Sequence, residues 1–152
     1  GDNFHDENSH VIPALIRRFH EASLQQKNEV TLWGTGNAKR DFLHVDDLAE
    51  AVLFVLDIPK SHFNKVLNKT NSHINVGSGF EISISDLAKI ISSIVGFSGN
   101  IKKDLTKPDG TPRKLLDISL LKNLGWKPNI NLQAGLKETY KWFNDNIDKF
   151  RK

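Results

Sequence analysis

Several side chains in this sequence stand where they could do chemistry. His10 lies in the run Ser9-His10-Val11-Ile12-Pro13. An imidazole titrates near pH 6.5, so it can pass a proton in either direction at neutral pH; a surface histidine near a helix end reads the same way. Arg18 and Arg40 can each grip a phosphate or a diphosphate through parallel hydrogen bonds, which a lysine cannot copy. Arg18 can also be an ordinary solvated helix residue. Trp33 and Arg40 stand at the two ends of one tight loop, Gly34-Thr35-Gly36-Asn37-Ala38-Lys39. A flat ring near a guanidinium suits a ligand carrying a ring and a phosphate or sugar hydroxyls, although Trp33 can equally be a core residue. Asp109 sits in Lys107-Pro108-Asp109-Gly110-Thr111-Pro112, as a turn residue or as part of a site whose loop shape the two prolines fix.

Other patterns invite chemistry and do not sustain it. The Gly34–Lys39 loop lacks the GK[ST] ending of a phosphate-binding P-loop. Gly77-Ser78-Gly79 would need a third glycine near position 82, which is Ile82, to bind a dinucleotide; it reads as a turn from strand to helix. The six histidines are dispersed and no HExxH run occurs. His44, Asp46 and Asp47 resemble a metal cluster, but helix capping explains both aspartates more simply.

The elements that must position these residues follow from periodicity and turn chemistry. Ser9 or a neighbour caps a helix to about Glu21, with Ile12, Leu15, Ile16 and Phe19 on its core face. Val30, Leu32 and Trp33 end a strand. Residues 40–45 are extended, and Asp46 opens a helix in which Asp47 and Glu50 have capping-box spacing. From Leu48 to Leu56 that helix is almost wholly apolar, which predicts cover on most sides. Residues 57–73 read as a surface connection with a helical turn, and Ile74-Asn75-Val76 as a short strand. Ser83 and Asp86 box the start of a helix over 84–95 that Gly96 stops. Residues 100–105 form a strand, 113–117 are extended, and a short helix over 119–124 ends at Gly125. Asn131 caps a last helix whose Leu132, Leu136, Tyr140, Phe143 and Ile147 share a face. Alternating short strands and five to six helices make the fold class α/β.

Composition narrows the function classes. The chain has 152 residues, 38% hydrophobic and 26% charged, as in an ordinary globular domain. No apolar run approaches the ~20 residues of a membrane span. The net charge of +3 is scattered rather than gathered in a patch, which argues against a nucleic-acid partner. Cysteine is absent, which excludes disulfides and thiolate chemistry and fits a cytoplasmic protein. Methionine is absent too, from which we expect a fragment of a longer protein.

Three stretches carry a resemblance: Ser9-His10-Val11-Ile12-Pro13 with the preceding Asp2-Asn3-Phe4-His5, Trp33-Gly34-Thr35-Gly36 with Arg40-Asp41-Phe42-Leu43-His44-Val45-Asp46-Asp47-Leu48-Ala49, and Lys107 to Asp117. Together they resemble the extended short-chain dehydrogenase/reductases that act on nucleotide sugars, and among these the GDP-L-fucose synthase family. Its members are NADPH-dependent 3,5-epimerase-4-reductases of GDP-4-keto-6-deoxy-mannose. The resemblance runs along nearly the whole chain and covers only the C-terminal, substrate-binding part of such an enzyme; the Rossmann half is missing. It implies that His10 is the general acid of epimerisation and a cofactor-binding residue. It also implies that Arg18, Trp33, Arg40, Asp109 and Lys114 line the nucleotide-sugar site. The missing half would supply most of the NADPH site, the Tyr-x-x-x-Lys pair of reduction and a cysteine base, and the enzyme would be a homodimer. Here the single tyrosine, Tyr140, has Asn144 where that lysine would stand, so the isolated chain is expected not to reduce anything. The helix from Asp46 would pack on the missing half and leave apolar surface exposed on this chain alone. Where the family often has a proline between Gly36 and Arg40, this chain has Asn37-Ala38-Lys39, which predicts a looser loop. Another nucleotide-sugar epimerase or dehydratase, and a stand-alone nucleotide-sugar binding module, are the alternative readings.

Overall fold

The computed structural model describes residues 2–5, 8–67 and 73–149. Among them are six α-helices and five short strands: α1 (Val11–Leu24), β1 (Glu29–Trp33), β2 (Lys39–Asp41), α2 (Val45–Asp57), α3 (Lys60–Val66), β3 (Glu81–Ser83), α4 (Ile84–Val95), β4 (Asn100–Asp104), β5 (Arg113–Lys114), α5 (Ser119–Asn123) and α6 (Leu132–Asn146). The expected α/β class holds. The chain divides into two compact units. Unit 1 joins residues 1–38, 82–112 and 133–152, and unit 2 joins 39–81 and 113–132.

Unit 1 is built on the parallel pairing of β1 with β4, in register from Glu29↔Asn100 to Trp33↔Asp104. The alternation of β1 turns Val30 and Leu32 inward and leaves Trp33 outside. Behind the strands lie Leu15, Ile16 and Phe19 of α1, Leu87 and Ile91 of α4, and Phe143 of α6, all fully buried or nearly so. Aromatic contacts join segments distant in sequence: Phe19 meets Phe97 at 5.4 Å, and Phe4 meets Phe143 at 4.8 Å, between ring centroids. Local chemistry sets the ends of α4. The Ser83 hydroxyl accepts from the Asp86 N–H at 3.0 Å, and Gly96 closes the helix at φ +79°.

His20 is buried in this core, its Nδ1 3.1 Å from the Tyr140 hydroxyl and its ring edge-on to Phe143. Burial holds its pKa below the usual 6.5, against a smaller upward pull from Glu21. The folded chain therefore takes up fewer protons than the unfolded chain as pH falls through about 6.5. Stability contributed by neutral His20 is present above that pH and lost below it. Urea unfolding at pH 7.5 and 5.5 should show a loss on acidification that is smaller in His20→Asn; equal losses in the two proteins would refute the role.

Unit 2 packs Ala51 of α2 and Leu121 of α5 against Trp126, with Leu43, Phe54, Val55, Ile74 and Val76 around them. β2 and β5 pair in parallel, Lys39 beside Arg113 and Arg40 beside Lys114. One expectation is corrected here, and two are made more specific. Residues 74–76 form no strand and serve instead as packing for the Ala51–Leu121–Trp126 cluster. The connection after α2 contains the two-turn helix α3, while its residues 68–72 lie outside the described residues. The extended run expected over 113–117 is a strand only at Arg113–Lys114.

The cap of α2 is also corrected. His44 is its N-cap, its ring accepting from the Asp46 N–H at 3.3 Å. Asp47 is no cap: its side chain is buried and accepts from the backbone N–H of Asn129 at 2.9 Å and of Ile130 at 3.0 Å. Glu50 accepts from the Asn129 amide at 3.1 Å, so the capping-box spacing serves a distant segment. The expected cover of α2 is not found within this chain, since only its Ala51 and Asp47 positions are buried. Val45, Leu48, Val52, Leu53 and Leu56 are exposed, as expected of the chain on its own.

Candidate functional site

The site residues of unit 1 lie on α1 and on the turn that follows β1. His10 is the N-cap of α1, exposed, and makes no side-chain capping bond. Of Ser9 and its neighbours it is His10 that takes the cap position, because helical geometry begins at Val11; the Ser9 hydroxyl is buried with no hydrogen-bond partner among the described residues. Further along the helix the two arginines diverge. Arg17 is committed to the fold, its Nε donating to Glu21 at 2.7 Å and its Nη1 to the Phe4 carbonyl at 2.8 Å. Arg18 instead lies over the indole of Trp33, 5.1 Å from the ring centroid. A hollow of about 170 Å³ beside α1 is lined by His5, Ala14, Arg17, Arg18 and Glu21.

Trp33 is 57% exposed, which removes core packing as the reason for an indole there. A second cation, the Lys107 ammonium, lies 5.5 Å from the same ring centroid. Among the described residues neither Arg18 nor Lys107 has an ion-pair partner. Two cations gathered on an exposed ring can meet an anion that also offers a flat or apolar face, although the Lys107 charge also acts on the Asp104 carboxylate.

The turn after Trp33 takes its shape from Gly34 at φ +70° and Gly36 at φ +72°. Asp109 fastens it, accepting from the Thr35 N–H at 2.8 Å and the Thr35 hydroxyl at 2.6 Å. These bonds, the hydroxyl's first, hold the Asp109 carboxyl below the usual range. Thr35 Oγ1 in turn accepts from the Asn37 N–H at 3.1 Å. The segment that lacks the family's proline is thus tied at its start by side-chain hydrogen bonds.

Arg40 and Lys114 belong to unit 2, where they are register partners on β2 and β5. The other register pair is bridged by Glu81, which meets Lys39 at 3.2 Å and Arg113 at 2.5 Å. The Glu81 carboxyl is held below the usual range, chiefly by Arg113. Next to it the Asp41 carboxylate gathers the Ser78 hydroxyl and N–H and the Gly79 N–H. A side chain on Gly77 would stand 2.6 Å from Asp41 Oδ2. The Gly77-Ser78-Gly79 turn is therefore accounted for by packing around Asp41, and it leads into β3 rather than directly into a helix. A cleft of about 500 Å³ in unit 2 is lined by Gly79, Arg113, Leu115, Leu116, Ile118 and Lys122, among others.

Among the described residues no group of three His, Asp or Glu could hold a metal ion, and no helix is long and apolar enough to cross a membrane. Tyr140 is spent on His20. Lys107 is the residue that reading the sequence did not single out. Its signal was its place two positions before Asp109, which matters only once Asp109 is seen to fasten the Trp33 turn.

The chain is similar to known proteins along nearly its whole length. The profile of the NAD dependent epimerase/dehydratase family matches residues 1–77. The chain is 52% identical over 151 residues to "Probable GDP-L-fucose synthase 1" of Oryza sativa subsp. japonica, covering 99% of this chain and 43% of that protein. It is 51% identical over 150 residues to the "GDP-L-fucose synthase" of Escherichia coli K12, covering 99% and 47%. The crystal structure of a GDP-L-fucose synthetase from Naegleria fowleri bound to NADP superposes with a TM-score of 0.83 at 27% identity, over 99% of this chain and 45% of that one. The chain thus spans less than half the length of the relatives it matches. With a profile match over half its length, the chain belongs to the NAD dependent epimerase/dehydratase family.

Proposed function

We propose that residues 1–152 are the C-terminal nucleotide-sugar binding region of a GDP-L-fucose synthase. That enzyme would convert GDP-4-keto-6-deoxy-mannose to GDP-L-fucose by 3,5-epimerisation and NADPH-dependent reduction of the 4-ketone. The observation that carries the reading is the cluster on α1 and β1: an imidazole with no capping role at the head of the helix that brings Arg18 over Trp33. In this reading Arg18 and Trp33 hold the nucleotide diphosphate. Arg40 and Lys114, paired on β2 and β5, supply further contacts to the nucleotide sugar. Epimerisation needs a base to take the proton from the carbon beside the ketone, and an acid to return one on the opposite face. His10 is that acid.

The residues present fit only the edge of an NADPH site. His10 is the single candidate to meet the cofactor, and neither a three-glycine phosphate loop nor a Tyr-x-x-x-Lys pair occurs in the sequence. NADPH when bound supplies hydride, and its binding falls mainly to the part of the enzyme that this chain does not span. We assign the exposed apolar face of α2 to contact with that same part. The reading carries with it a cytoplasmic homodimer with no nucleic-acid or membrane partner.

Calorimetric titration of this chain with GDP and with GDP-L-fucose tests the reading. Both should bind, and Arg18→Ala should weaken them about 10- to 100-fold, the worth of a charged hydrogen-bond donor. Absence of GDP binding, or an Arg18→Ala variant that binds as well as the parent, would overturn it.

A further inference from the structure

We propose that Lys107 is a second substrate cation beside Arg18, and that Asp109 is the positioning residue that holds it over Trp33. The inference rests on the nucleotide-sugar reading of the site and deepens it, since the ligand group concerned is the diphosphate.

Two ties fix the loop that carries Lys107, and both end on the Trp33 turn. At its base, Trp33 and Asp104 are the last register partners of β1 and β4. The Asp104 carbonyl accepts from the Gly34 N–H at 2.9 Å and from the Lys107 N–H at 3.3 Å. The Asp104 side chain tightens the same bend, accepting from the Thr106 N–H at 3.0 Å and the Thr106 hydroxyl at 2.6 Å. At its far end, Asp109 holds Thr35 through both carboxylate oxygens. Lys107 lies between these ties, and its ammonium reaches the Trp33 ring that Arg18 also covers. The fit has no slack at Gly34, where a Cβ would stand 2.3 Å from Asp109 Oδ1. Glycine is thus required there for close approach as well as for its positive φ.

A lysine spent on structure would be neutralised, as Lys39 is by Glu81 and Lys89 by Asp86. Lys107 feels the Asp104 carboxylate only from beyond ion-pair distance, has no ion-pair partner among the described residues and shares its ring with a second cation. An anion large enough to meet both cations fits this arrangement, which a nucleoside diphosphate is and a lone monophosphate is less.

Titrating GDP into this chain and its Lys107→Gln, Asp109→Asn and doubly substituted forms tests the assignment. Each single change should weaken GDP about tenfold, and the double form should be no weaker than either single one, because both remove the same cation. Losses that multiply, or an Asp109→Asn form within about threefold of the parent, would overturn it. A parent chain that binds no GDP would defeat the nucleotide-sugar reading, and a measurement without ligand then decides the positioning role. Iodide quenching of Trp33 fluorescence, taken as the difference from Trp33→Phe and divided by quenching with neutral acrylamide, reports the positive charge at the ring. It should fall at least twofold in Lys107→Gln, Asp109→Asn and Gly34→Ala alike; an unchanged ratio in Asp109→Asn or Gly34→Ala would refute the role.

Discussion

On the GDP-L-fucose synthase reading proposed above, His10→Ala in the whole enzyme should slow formation of the epimerised sugar about 10²- to 10⁴-fold, the usual worth of a positioned general acid. Its stability should change by no more than about 0.5 kcal/mol, as for an exposed residue without structural partners. The separation of the two effects follows from the geometry. His10 is exposed, makes no side-chain capping bond and lends α1 only its carbonyl, which accepts from Ala14 at 3.0 Å; alanine supplies the same carbonyl. NMR of the product sugar reads the first quantity and urea unfolding the second. Inversion within about threefold of the parent enzyme would remove His10 from the chemistry. A large loss of stability would give it the structural role that the fold does not show.

The second large effect is on folding alone. Asp47→Ala should cost about 2–4 kcal/mol, because it strips two backbone donors of a buried, charge-assisted acceptor. The donors belong to Asn129 and Ile130, so the loss falls on the tie between α2 and the segment before α6. Asp46→Ala is the control. Its side chain is 73% exposed, and although it stands in the first turn of the same helix, its removal should cost a small fraction of that amount. Comparable losses in the two variants would mean that the first turn of α2 is held by its helix-end charges and not by the distant contact.

That pair of residues also shows where reading the sequence works and where it stops. Ser83 and Asp86 have capping-box spacing, and α4 begins and ends where the spacing and Gly96 place it, because every bond involved is local. Asp47 and Glu50 have the same spacing, yet both turn to Asn129, about 80 residues away. Nothing in a periodicity records such a partner. Ile74-Asn75-Val76 fails for the related reason that a strand needs a neighbour, and unit 2 uses these residues as packing instead. For the site, residue type made Arg18 and Trp33 candidates, and the family resemblance favoured them over the surface-helix and core readings. Their mutual contact, the exposure of the indole and the part played by Lys107 depend on how β4 returns beside β1, which spacing along the chain does not encode. Arg40 and Lys114 were selected one by one, and their register as partners likewise emerges only from strand pairing.

The parallel pairing of β1 with β4 has a consequence for the order in which the chain can fold. Glu29 must find Asn100 across about 70 residues, and Phe4 must find Phe143 at the far end of α6. Unit 2 lies between these distant partners in sequence and draws on fewer separate stretches. During synthesis the platform that carries Arg18, Trp33 and Asp109 therefore stays unfinished until the last helix has emerged, and long-range contacts of this kind are the slow ones to form. Folding speed should respond most to changes that help or hinder the meeting of β1 and β4. A deletion reaching back through Phe143 would remove the ring that both Phe4 and His20 pack against, however complete the site's own residues remained.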